Sequence, residues 1–156
     1  MTDPQPMYDL TRDQLTTQLS FVDGLDSKLG LLLSVGSGLL GILAAVFALR
    51  APNSPHPDFR ALLVCTAAYL FLVGITGFGL WGRKWALGPE AEKVARGYNR
   101  THPNTIKANM ARKFHRDYIK NKSAYEQKVW ALRLSYPLLI VQTVALVWAT
   151  WSVAGL

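Results

Sequence analysis

Arg112, Arg116 and Lys120 recur every four residues, so on a helix their charges share one face. Lys107 and Lys122 flank them, and Lys113 is spaced to pair with Asp117. A row of cations on one face holds an anion: a nucleotide phosphate or an anionic lipid headgroup. It is equally a solvated face whose charge keeps its segment on one side of a membrane. Lys28 is a fourth candidate for the same anion. Asp23 and Asp26 beside it are placed to pair with the basic helix and set its register. Exposed pairs of that kind contribute only about 0–1 kcal/mol. Reaction chemistry has no comparable signal. His56, His102 and His115 lack metal-ligand spacing, and no nucleophile–base pair or glycine-rich phosphate loop appears. The expectation is a protein without catalysis, metal or cofactor. Few stacking aromatics interleave with the basic residues, so nucleic acid is not an expected partner.

What carries these residues is mostly apolar. Half of the 156 residues are hydrophobic and only 17% are charged, against about 25% in ordinary soluble domains. Leu29–Leu49, Ala61–Gly82 and Leu134–Leu156 are runs of 21, 22 and 23 residues with no Asp, Glu, Lys, Arg or His. A membrane-spanning helix needs about 20. The expected division is an N-terminal cytosolic helix at 1–28, a first span at 29–49 and an external loop at 50–60. A second span follows at 61–82, a basic cytosolic helical segment at 83–133 and a third span at 134–154. This excludes a soluble globular enzyme and a disulfide-built secreted domain. The single cysteine, Cys65, falls inside the second apolar run and reads as packing.

Net charge is +7, but 13 of the 17 Lys/Arg lie in 83–133. Only Glu90, Glu92, Asp117 and Glu126 oppose them there. Basic loops stay in the cytoplasm. The expectation is therefore an inner (plasma) membrane protein with 83–133 and the N-terminus inside and 50–60 outside. Trp81 and Trp85 mark one interface of the second span, and Trp148 and Trp151 the outer end of the third.

Two stripes lead into the spans. Leu15, Leu19, Val22, Leu25 and Leu29 recur at helical steps, with Asp9 or Thr11 as the helix cap. Ile106, Met110, Phe114, Tyr118, Tyr125, Val129, Leu132 and Tyr136 do the same on a helix expected from Thr105. A shorter helix is expected over Glu90–Asn99. The economical architecture is all-α: three transmembrane helices with a cytosolic helical stalk formed by extensions of the first and third spans. Gly30, Ser34 and Gly38 make a small-residue face, for packing within one subunit or for a homo-oligomer interface. Gln142, deep in the third span, is expected to bond another helix. Without ionisable groups inside the spans, an ion-coupled transporter is disfavoured.

Leu25-Asp26-Ser27-Lys28-Leu29-Gly30-Leu31-Leu32-Leu33 runs into the first span. Tyr118-Ile119-Lys120-Asn121-Lys122 and Tyr125-Glu126-Gln127-Lys128 lead toward the third. With this layout, and with Asp26 and Lys28 as the most specific element, the chain resembles the Pycsar-type transmembrane effectors of bacterial cyclic-nucleotide antiphage systems. The resemblance implies a membrane effector that receives cyclic UMP or cyclic CMP from a partner cyclase. It assembles and impairs the inner membrane, which aborts infection. A constitutive scaffold or accessory subunit, and a small channel subunit, are the alternatives without a nucleotide.

Overall fold

Helices form over the long stretches that lack closely spaced proline and glycine turns, and a polar group closes the first turn of the second. A computed structural model describes residues 5–49, 58–81, 85–88 and 102–154. The described residues form three α-helices and no strand: α1 at Gln5–Ala48, α2 at Phe59–Leu80 and α3 at Pro103–Ala154. Each is long and apolar enough to cross a membrane.

Helix α1 starts at Gln5, ahead of the expected cap. Asp9 and Thr11 therefore lie inside it, where Thr11 Oγ1 donates to the Met7 carbonyl at 2.8 Å and Asp9 accepts from Gln5 Nε2. Asp58 caps α2, its carboxylate accepting from Arg60 N at 2.9 Å. Helix α3 begins two residues before Thr105. Pro103 stands in its first turn, where a missing N–H costs nothing. The backbone N–H groups of Thr105 and Ile106 both reach the His102 carbonyl. Pro137 is accommodated inside α3. The expected loop residues 50–57 with His56, and the expected helix over 90–99, lie outside the described residues.

The chain divides into two compact units. One combines Met1–Gly24 with Gly82–Gln127, the other Leu25–Trp81 with Lys128–Leu156. In the second unit α2 packs with the later parts of α1 and α3. Leu43, Ala61, Cys65, Ala145, Leu146 and Ala149 form one cluster of its core. In the first unit the early parts of α1 and α3 pack together. Tyr8 meets Phe114 edge-on, with ring centroids 5.7 Å apart.

Burial along both long helices steps by three and four residues. On α3 it falls on Asp117, Asn121, Ala124, Lys128, Ala131, Ser135, Gln142, Ala145 and Ala149. On α1 it falls on Thr11, Leu15, Gln18, Val22, Leu29, Leu32 and Leu43, with Gly36 in phase. That spacing belongs to helices packed side by side at a shallow angle. The α3 seam is small and polar. The expected apolar stripe sits beside it: Tyr118, Tyr125, Val129, Leu132 and Tyr136 each follow a buried residue by one position. In the second unit many large apolar groups point outward, among them Leu63, Leu70, Phe71, Ile140, Val144 and Val147, while Leu29, Leu32, Leu43, Leu72 and Leu146 are buried.

The close approach rests on different glycines from those expected. A Cβ on Gly30 or Gly38 would meet nothing within 4 Å, and Ser34 is exposed, donating to the Gly30 carbonyl. These three residues do not pack the subunit internally. Gly36 and Gly79 do. A Cβ on Gly79 would lie 2.7 Å from Ala131 Cβ and 3.0 Å from Leu29 Cδ1. One on Gly36 would lie 2.5 Å from Leu72 Cδ2, the movable end of a side chain. Gly79→Ala should therefore lower stability by about 1–3 kcal/mol through overpacking. Gly38→Ala, free of any contact, should be neutral or gain up to about 1 kcal/mol of helix propensity. Thermal unfolding of both variants in detergent micelles checks this order.

Candidate functional site

The first unit holds a pocket of about 470 Å³ between its two helices. Helix geometry builds it. Leu10, Asp13, Gln14, Thr17, Gln18 and Phe21 follow one face of α1, and Tyr118, Lys122, Tyr125 and Glu126 one face of α3. Gln18 is at the wall. It is 7% exposed, its Nε2 donates to the Tyr118 carbonyl over a long 3.5 Å, and its Oε1 is buried without a partner among the described residues. Lys122 and Glu126 form a loose, exposed pair at 3.8 Å. With Asp13 the lining carries one more negative than positive group.

The same stretch of α3 is strapped by the segment Trp85–Gly88. The Asn121 side chain brackets Ala86, its Oδ1 accepting from Ala86 N at 3.1 Å and its Nδ2 donating to Ala86 O at 3.0 Å. Lys113 Nζ donates to the Gly88 carbonyl at 2.8 Å and stands 3.5 Å from the buried Asp117 carboxylate. Gly88 has φ +95°, and a Cβ there would lie 2.8 Å from Phe114 Cε1. Only glycine meets both conditions. The sequence placed Lys113 only as a partner for Asp117, and Asn121 only within the stretch leading toward the third span. The structure makes them anchors for this extended segment.

Arg112, Arg116 and Lys120 are all exposed on α3. Arg116 and Lys120 lie two residues either side of Tyr118, which turns them about 200° from it; Arg112, six residues before, is about 120° away. The cations thus occupy a face turned away from the pocket, and among the described residues none of them has a hydrogen bond or ion pair. Lys28 is also exposed but belongs to the second unit, as do Asp26 and its partner. Asp23 is exposed in the first unit. His102 and His115 are exposed, and no group of three or more His, Cys, Asp or Glu among the described residues could hold a metal ion.

The second unit buries two kinds of polar group. Gln142 is fully buried, and its Nε2 donates to the Gly36 carbonyl at 2.8 Å, the interhelical bond its depth in the sequence suggested. Cys65 Sγ lies 3.7 Å from the Gln142 carbonyl, and Thr76 and Ser135 donate to carbonyls of their own helices. The other group is an ion pair. Lys128 Nζ, on a side chain 6% exposed, holds the Asp26 carboxylate, whose side chain is 39% exposed. The pair ties α1 to α3. The sequence marked Asp26 but not Lys128, because no local pattern shows that this lysine falls on the buried seam.

The pair is asymmetric, and so are its variants. Asp26→Ala takes the carboxylate from a buried ammonium and should cost about 2–3 kcal/mol. Lys128→Met keeps the packing and leaves a carboxylate that already reaches solvent, so it should cost less than about 1 kcal/mol. Melting temperatures in micelles should rank wild type and Lys128→Met together, with Asp26→Ala clearly below.

Compared with protein-family models, curated proteins and solved structures, the chain matches none of them.

Proposed function

We propose that this protein is a multi-pass inner-membrane effector. Its basic unit lies in the cytoplasm and responds to a cyclic pyrimidine nucleotide, and the response impairs the membrane. One observation carries the reading. Helices α1 and α3 each run unbroken from a polar, basic unit into an apolar one. A ligand that favours one arrangement of the two helices in the first unit acts on the same two rods that build the second. The ligand must bind the disruptive arrangement more tightly than the resting one, or nothing shifts.

Three further features support it. The second unit packs glycine, alanine and polar residues among a few buried leucines and turns many large apolar residues outward, a pattern that suits a bundle solvated by lipid. The basic excess of 83–133 supports an orientation with that segment, and with it the N-terminus, inside. The exposed face of Arg112, Arg116 and Lys120 offers charge for a nucleotide phosphate. The Asp26 and Lys28 pattern adds the resemblance to Pycsar-type effectors, with a homo-oligomer as the acting form.

Expression with a pyrimidine cyclase, followed by uptake of a membrane-impermeant dye, tests this directly. The wild type should admit dye only when the cyclase is active. Arg112→Glu together with Arg116→Glu, still present in the membrane fraction, should cut dye entry at least tenfold. Dye entry that ignores the cyclase, or no entry with it, would contradict the nucleotide reading. Full entry in the double variant would remove the phosphate from this face.

A further inference from the structure

The pocket in the first unit and the cationic face on its α3 helix differ in charge and direction, so they suit different chemistry. We infer that the pocket is a binding site for a flat, uncharged or cationic ring compound that presents N–H donors, such as an aryl amide, an amidine or an amino-heterocycle. This stands apart from the nucleotide reading and holds whether or not a phosphate binds elsewhere.

Size comes first. About 470 Å³ lies within the range that small-molecule sites occupy, roughly 300–1,000 Å³. Shape and surface come next. Phe21, Tyr118 and Tyr125 supply aromatic faces on both walls, which favour a planar ring. Phe21 is 61% exposed, so its ring is open to a guest.

Polarity then decides the ligand class. Gln18 Oε1 is an acceptor buried without a partner among the described residues. A buried orphan of this kind is costly, and a donor that reaches it recovers the loss. Its amide is held only by the 3.5 Å bond to the Tyr118 carbonyl, and the terminal amide torsion is soft. Rotation about that torsion is the movement that would bring the oxygen to a guest. The Asp13 and Glu126 carboxylates at the pocket also accept hydrogen bonds. The one cation in the lining, Lys122, is engaged by Glu126. The field at the pocket therefore repels an anion, while the wall asks for donors.

Three probes that share a ring separate these terms: benzamidine, a cation with donors; benzamide, neutral with a donor; and benzoate, an anion with none. Saturation-transfer NMR titrations on the full chain in micelles give their relative affinities. Benzamidine and benzamide should bind, with benzoate at least tenfold weaker. Gln18→Leu, with helix content unchanged, should weaken benzamide at least tenfold, since a site left without its hydrogen bond discriminates strongly. Glu126→Gln should weaken benzamidine and leave benzamide as it was, so the charge term can be read even where Gln18→Leu does not fold. Benzoate binding as well as benzamide would overturn the assignment. So would a folded Gln18→Leu protein that keeps full benzamide affinity, a Glu126→Gln protein that weakens both donors equally, or a failure of all three probes to bind.

Discussion

Close approach of three helices across a seam of small and polar residues is the constraint on which the second unit depends. Ala131 meets Gly79, and Leu72 fills the space that Gly36 leaves open. A side chain at Gly79 would push the helices apart, and one at Gly36 would displace the Leu72 side chain. Helices this near can share hydrogen bonds, and Gln142 reaches the Gly36 carbonyl because Gly36 has no side chain in the way. In a nonpolar surrounding such packing and bonding replace the hydrophobic effect as the source of association. Many of the other large apolar side chains are then left for the outer surface, where Leu70, Phe71, Ile140 and Val144 are found.

The same periodic seam decides what the rest of each helix is free to do. On α3 the seam takes Asp117, Asn121 and Ala124 inward. Tyr118, Tyr125 and Lys122 fall beside it and line the pocket. Arg112, Arg116 and Lys120 fall farther round and meet solvent. Three functions thus share one helix at fixed angular offsets: packing, a candidate ligand pocket and an anion-attracting face. Lys128 continues the seam and carries a charge into it, which is tolerated because Asp26 answers it. Removing Asp26 therefore disturbs how α1 and α3 are held together within the second unit.

The three helices and their apolar segments were legible in the sequence, since a run without charge of 21 to 23 residues has few other meanings. Gln142 was legible for the same reason, as a polar group with no water to satisfy it. The seam was not. Apolar periodicity selected Tyr118, Tyr125, Val129, Leu132 and Tyr136, one residue away from the positions that are buried. In α3 small and polar residues hold the inner positions, and apolar spacing alone does not tell which of two adjacent helix faces is buried. Gly30, Ser34 and Gly38 followed the recognised four-residue spacing, yet Gly36 and Gly79 make the contacts. Which glycine faces a neighbour is set by helix rotation, and spacing alone does not fix rotation. The pocket escaped notice because its two halves lie about a hundred residues apart in the chain. Each half alone looks like an ordinary solvated helix face. Asn121 was hidden for a related reason: its partner is the backbone of Ala86, which has no sequence signature.

A nitroxide scan along α3 from Leu134 to Trp151, in lipid bilayers, tests the central claim most directly. Relaxation by dissolved oxygen reports contact with lipid. Oxygen accessibility should oscillate with the helix, with minima at Ser135, Gln142, Ala145 and Ala149 and maxima at Ile140, Val144, Val147 and Trp148. Maxima at the small and polar positions, or a flat profile dominated by water-soluble relaxant, would contradict a bundle that turns its small residues inward and its large apolar residues to the membrane.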